Sequence, residues 1–253
     1  MSITTYPDVY NNYLLNVSRG FITGATPFSG YGKRTTTGAE TNVIWPNGAY
    51  TFPAAAGVQM SLVSTSVNDA SAGTGIRSVE IYYLDAALAE QAETVTMNGT
   101  TPVLTVATNI RFIQCMHIAT IGSGGMAAGI ITASNGGNTY SEIALGEVRC
   151  ASSVRMVPAG KKLFVNSMYA GSVSGTATAE TVVSLASPAF GTHDFTTSNV
   201  FIPLADATFQ DGSGGISITC PLVFTEGQAV GMTFTTNKAA TIVGNWFGWL
   251  ENA

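Results

Sequence analysis

Charge is scarce in this chain. Of its 253 residues 10% are charged, ten Lys plus Arg against fifteen Asp plus Glu, for a net charge of −5. An average globular domain carries about 25%. Gly, Ala, Ser and Thr occupy the space that charges usually take. The few basic residues are spread thinly, which excludes the electrostatic footprint that a nucleic-acid backbone demands. Histidine is scarcer still, with only His117 and His193. The three cysteines, Cys115, Cys150 and Cys220, are far apart and odd in number. They read as buried thiols rather than a disulfide framework, because free Cys in apolar strands behaves as a small hydrophobe. No basic segment followed by an apolar run opens the chain, so no secretory leader is expected. No apolar run approaches the ~20 residues of a membrane-spanning helix.

Catalytic and metal-binding patterns are missing too. His193 beside Asp194 has no second His or Cys near it in sequence, whereas zinc needs three or four ligands at defined spacing. His117 lies in an apolar run and reads as a core or interface histidine. Gly171-Ser-Val-Ser-Gly175 has the letters of a nucleophile elbow but sits in a loop with no helix after it. Asp206, Asp211 and Gly212 resemble a calcium-loop fragment without its alternating acids and closing Glu. Gly122–Gly125 lacks the Lys and helix of a phosphate loop. No enzyme chemistry, cofactor or metal is expected.

What is present is a succession of short β runs broken by Gly, Pro, Asn and Asp. Arg77–Leu84 alternates Val79, Ile81 and Tyr83 with Ser78 and Glu80, the period of a half-buried strand. Ile110–Ile121 is apolar on both faces and is expected to be a central strand. Asn98-Gly99, between Glu93–Met97 and Val103, carries the signal of a type I′ hairpin turn. Trp246 and Trp249, three apart, point to opposite sides of a strand, one to the core and the other to a surface or interface. Roughly fifteen strands with no long amphipathic helix predict an all-β chain, an antiparallel β-sandwich or jelly-roll-like body.

Residues 1–40 differ from the rest. Tyr6, Tyr10, Tyr13, Phe21, Phe28 and Tyr31 are interspersed with glycines, and a short helix is expected within Asp8–Val17. This stretch is either an N-terminal arm that needs a partner surface to offset its ordering entropy, or a segment packed across its own domain. The expected division is an arm at 1–40, a first lobe at 41–135 and a second at 136–253, with Asn135-Gly136-Gly137 at the boundary.

Several motifs recur together in order: Ile44-Trp45, Val63-Ser-Thr-Ser-Val-Asn-Asp69, Ala72-Gly-Thr-Gly-Ile-Arg77, Tyr83-Leu-Asp85, Glu93 through Val103 (Glu-Thr-Val-Thr-Met-Asn-Gly-Thr-Thr-Pro-Val), and Val157-Pro-Ala-Gly-Lys161. This set resembles a group of tailed-bacteriophage virion proteins, specifically over about Thr41–Gly125 and more loosely beyond. The resemblance carries no catalytic residue. It implies a structural component of the particle: a capsid decoration or cement protein, trimeric, bound to the major capsid protein at the capsid surface and assembled in the host cytoplasm. It binds neither nucleic acid nor membrane in this reading. Tyr10, Tyr13, Phe21, Phe28 and Tyr31 are then the candidate capsid contacts. The alternative implied role is a tail, baseplate or fibre-associated protein for host attachment, with Phe190, Phe195 and Phe209 as distal aromatics.

Overall fold

The computed structural model describes residues 13–48, 50–176, 178–188, 201–210 and 213–253. A short helix α1 (Tyr13–Ser18) precedes β1 (Ala25–Thr35) and β2 (Glu40–Val43). Next come β3 (Ser61–Ser64), β4 (Ile76–Asp85), β5 (Glu90–Thr96), β6 (Val103–Leu104), β7 (Ile110–Ile121), β8 (Ile131–Asn135) and β9 (Asn138–Ile143). The chain ends with β10 (Arg155–Met156), β11 (Lys161–Val173), β12 (Glu180–Pro188), β13 (Phe201–Gln210), β14 (Ser213–Thr225), β15 (Ala229–Thr236) and β16 (Thr241–Asn252). Every recorded strand pairing is antiparallel. The chain is all-β, as its composition and turns dictate.

The first two strands and the last seven form one sandwich. One sheet runs β1-β16-β11-β14; the other runs β10-β15-β12-β13, with β2 also on β15. Alternation sorts each strand. β16 buries Ile242, Trp246 and Leu250 and turns Val243, Asn245, Phe247 and Trp249 the other way. Leu163, Val165 and Met168 of β11 join them from one sheet, and Val183, Leu185, Met232 and Phe234 from the other. Burying each such side chain contributes roughly 1.5–3 kcal/mol.

Strands β3 to β9 form a second sandwich inserted between β2 and β10. Its sheets are β5-β4-β7 and β6-β3-β8-β9. Met60, Leu62, Val79, Ile81, Met116, Ile131 and Ile143 fill its core. A third cluster joins the two bodies. Val43, Val154, Met156 and Ala229 meet Leu84 and Phe112 around Trp45 and Tyr50. Rings of Trp45 and Tyr50 (5.0 Å), Tyr50 and Phe52 (5.4 Å), and Phe52 and Phe112 (5.5 Å) run through it. Gln114 Nε2 donates to Met156 O at 2.5 Å, and the Met156 N–H donates back to Gln114 Oε1 at 3.3 Å. The tip of the β4–β5 turn reaches the same joint: the Ala159 N–H donates to Leu88 O at 2.9 Å.

The pairing departs from the expected division in two places and from an expected turn in a third. Residues 25–43 are not an arm. β1 pairs with β16 along its length, and β2 with β15. Gly30 and Gly32 make this possible: a Cβ on Gly32 would lie 2.1 Å from Ile44 O, and one on Gly30 would lie 2.3 Å from Ser153 O. The boundary at Asn135 falls inside a hairpin. Asn135 pairs with Asn138 across Gly136 and Gly137, whose φ angles of 58° and 86° are those of a type I′ turn. Asn98-Gly99 is not a hairpin. Gly99 has a φ of 60°, but Asn98 does not share the positive sign, and the chain there crosses from one sheet of the insert to the other. The hairpin turn lies earlier, where Asp85 Oδ1 accepts the N–H groups of Ala87 (2.8 Å) and Ala89 (3.0 Å).

Ile110–Ile121 is a strand over the full expected span, but it stands at the end of its three-stranded sheet. Its outer edge is covered by residues 148–150. Ile118 N–H donates to Val148 O (3.0 Å), and Cys150 N–H donates to Met116 O (2.8 Å). Both faces of the strand read as buried because Ile110, Ile113 and Met116 pack into the core of the insert and Phe112 into the cluster at the joint.

Candidate assembly surface

No cluster of three or more His, Cys, Asp or Glu side chains suited to a metal occurs among the described residues. The chemistry-bearing residues that the sequence offers are tied into the fold instead. Asp69, wholly buried, accepts from Ile76 N–H (2.7 Å) and Ala128 N–H (3.0 Å) on one oxygen, and from Ser64 Oγ (2.6 Å) and Gly129 N–H (2.9 Å) on the other. It is a clasp for three loops. His117 is half-exposed, with Nδ1 2.8 Å from Ile118 O, Nε2 3.4 Å from Glu80, and its ring stacked on Tyr82. His193, Asp194 and Asp211 lie outside the described residues.

The feature that stands out is the outer face of the β1-β16-β11-β14 sheet. Register places its residues in rows. Val223, Phe164, Trp249 and Pro27 form one row across the four strands. Phe247 lies in the next, between Ser167 and Ser29, and Tyr169 and Tyr31 flank Asn245 in the third. Phe164 stacks on Trp249 at 5.5 Å between centroids. Phe247 is 46% exposed, Tyr169 38% and Val223 57%. At one corner α1 lies on the sheet. Tyr13 packs on Trp249 (5.1 Å), and Glu251 Oε1 accepts both the Tyr13 hydroxyl (2.6 Å) and Trp249 Nε1 (2.7 Å). Accepting that hydroxyl, the carboxylate pushes the Tyr13 phenol above its usual pKa. The face therefore sets aromatic and aliphatic side chains among Ser29, Ser167 and Asn245, with Lys33 and Lys162 toward its ends and the Glu251 carboxylate at its corner already engaged. Exposed aromatics gathered on one face make it the candidate interaction surface of the described residues.

Of the expected contact residues, Tyr13 belongs to this face and Tyr10 lies outside the described residues. Phe21 is 63% exposed in the link between α1 and β1. Phe28 is different: it points inward, packs on the main core, and its ring is 5.9 Å from that of Trp246. Tyr31 is half-buried, with Arg149 over its ring at 5.1 Å. It ties the insert to β1, helped by an ion pair between Lys33 and Glu147 at 3.4 Å. Phe209, expected at a distal tip, is in the core, while Phe190 and Phe195 lie outside the described residues.

Sequence reading did not place Phe164, Tyr169, Val223 or Phe247 on a common surface. The available signal was Asn245-Trp-Phe-Gly-Trp-Leu, where aromatics occupy both parities of one strand. Trp246 is fully buried and donates to Ser153 O at 2.8 Å, while Trp249 lies on the opposite face. That division follows directly from the three-residue spacing.

No family model matches the chain, and no curated protein does. Among solved structures it is similar to chains from particles of infectious bursal disease virus. The Gx strain chain shares 7% identity at a TM-score of 0.25, covering 90% of this chain and 71% of that one. The Gt strain chain shares 11% at 0.22, covering 90% and 72%. Similarity this loose bears on neither fold nor role.

Proposed function

We propose that this chain is a structural component of a bacteriophage virion, and within it a capsid decoration protein that binds the major capsid protein and stabilises the head. The observation that carries the reading is the aromatic outer face of β1-β16-β11-β14, continuous with α1. Sparse charge agrees with it: little desolvation of ions opposes burial of such a face. The residues from Thr41 to Gly125 add the resemblance to phage virion proteins. That stretch supplies β2 and most of the inserted sandwich, whose turns are set by Asp69 and its partners rather than by any reactive group.

The protein acts by covering joints between capsid subunits. A specific interface buries about 1,600 Å² in total. Symmetry multiplies modest equivalent contacts into strong retention, and trimerisation raises the effective concentration of each arm of the contact. The capsid exterior is the proposed location.

Purified protein mixed with undecorated capsids tests this. Co-sedimentation that saturates at a fixed copy number is expected. Protein that stays in the supernatant at micromolar concentration would count against the decoration role.

A further inference from the structure

Cys115 and Cys150 lie 35 positions apart in sequence, yet their sulfurs are 3.3 Å apart. We propose that this pair is a peroxide-reactive dithiol that closes to a disulfide and pins residues 148–150 to the edge of β7, cross-linking the base of the inserted sandwich. The third cysteine, Cys220, sits in the core of the other sandwich and takes no part.

Three features of the fold support the chemistry. First, the geometry is nearly closed. A disulfide needs an S–S distance of about 2.05 Å, so the sulfurs must approach by about 1.2 Å. The backbones are already held together: Cys150 N–H donates to Met116 O at 2.8 Å, and His117 pairs with Arg149. Second, Cys150 Sγ sits where an anion is favoured. The Met116 N–H points at it from 3.4 Å. Third, a buried guanidinium stands by. Arg155 donates to the carbonyls of Ser152 (2.9 Å) and Val154 (2.7 Å), and no described carboxylate pairs with it. The contact with Cys115 lowers the Cys150 thiol against the opposing effect of burial, and Arg155 and the backbone N–H groups add to the lowering. The same contact raises Cys115. The pair thus gives up one proton readily and holds the second, which is the arrangement of a thiolate beside a resolving thiol.

Cys150 is buried and Cys115 partly exposed, so a small oxidant such as hydrogen peroxide approaches the pair from the Cys115 side. The Cys150 thiolate attacks one peroxide oxygen; the O–O bond breaks and hydroxide leaves, taking the proton first shed by the thiol to become water. This gives the sulfenic acid. The Cys115 sulfur then attacks the Cys150 sulfur, the S–O bond breaks, and a second water leaves with the Cys115 proton. Two electrons pass from the two sulfurs to one peroxide. In a reducing compartment the pair stays as thiols; outside it, the cross-link forms.

Intact-mass measurement on the full chain decides the matter. Reduced protein, freed of reductant, is treated with a small excess of hydrogen peroxide, and remaining thiols are alkylated after unfolding. The expected product has lost about 2 Da before alkylation and takes up a single alkyl group, on Cys220. Its peptide map joins Cys115 to Cys150, and its melting temperature rises by on the order of 5–10 °C. Cys220→Ala keeps the mass loss, and Cys115→Ser abolishes it. Three alkylated cysteines, a bond to Cys220, or oxygen added to Cys150 without a cross-link would overturn the proposal. The wild-type result stands even if a variant fails to fold.

Discussion

The two outer faces of the main sandwich are built on one core and look different. Both sheets send alternate residues inward to meet around Trp246, Met232 and Phe234. Outward, the β1-β16-β11-β14 sheet shows Phe164, Tyr169, Val223, Phe247 and Trp249 among Lys33, Lys162, Ser167 and Asn245, whereas β12, β13 and β15 show Glu180, Ser184, Asp206, Thr208, Gln210 and Thr235, with Val182 and Leu204 as aliphatics and no described aromatic. Folding constrains the inward positions of both sheets equally. It leaves the outward positions free, so their composition reports on what lies outside the fold. Aromatics gathered on one outer face, with polar side chains dominating the other, fit the contact proposed for the first.

The strongest way to break this comparison is through the shared core. Trp246→Ala removes the largest side chain beneath the aromatic sheet and orphans Ser153 O. It is expected to cost about 3–5 kcal/mol in denaturant unfolding and to disturb both faces alike. The sharper test leaves the core alone. Phe247→Glu places a charge in the middle of the aromatic face, and capsid binding should fall at least about tenfold while stability stays within about 0.5 kcal/mol. Its counterpart, Val182→Glu on the other sheet, should alter stability as little and leave binding unchanged. If both variants lose binding, the distinction between the faces is void.

Tyr13 sharpens the comparison at the corner of the aromatic face. Its phenol is raised by Glu251, so the contact is complete below the unfolded value of 10.0 and weakens as pH climbs through the higher folded value. Burial or neighbouring carboxylates raise Tyr50, Tyr82 and Tyr83 as well, so the readout is a difference: Glu251→Gln should move one late phenol of the tyrosinate titration back toward 10.0 and leave the others in place. Smallest of all, Lys33→Ala opens an exposed ion pair to Glu147 and should cost no more than about 0.5 kcal/mol.

Much of the architecture could be read from periodicity. Arg77–Leu84 and Ile110–Ile121 are strands because alternation and β-branched content act locally, and Trp246 and Trp249 divide between faces for the same reason. What was hidden depended on partners far along the chain. Glycines 30 and 32 looked like the mark of an irregular arm; they are where the backbone of residues 44 and 153 comes too close for a Cβ. Gly136-Gly137 looked like a boundary because a tight turn and a linker share the same residues. Asn98-Gly99 looked like a hairpin because nothing local shows that β5 and β6 belong to different sheets. The assembly face was invisible for a related reason. Phe164, Tyr169, Val223 and Phe247 become neighbours only through the register of three strands. The cysteine pair was equally out of reach: the spacing of Cys115 and Cys150 says nothing of a 3.3 Å contact.

The central claim is that the aromatic face seats this protein on a phage head. A cryo-electron map of the virion that carries the chain tests it most directly. The account predicts the protein on the capsid exterior, with Phe247, Tyr169 and Trp249 buried against the shell or a neighbouring copy and the Glu180–Thr208 face in solvent. A map with that aromatic face open to solvent, or with the protein confined to the tail, would contradict it.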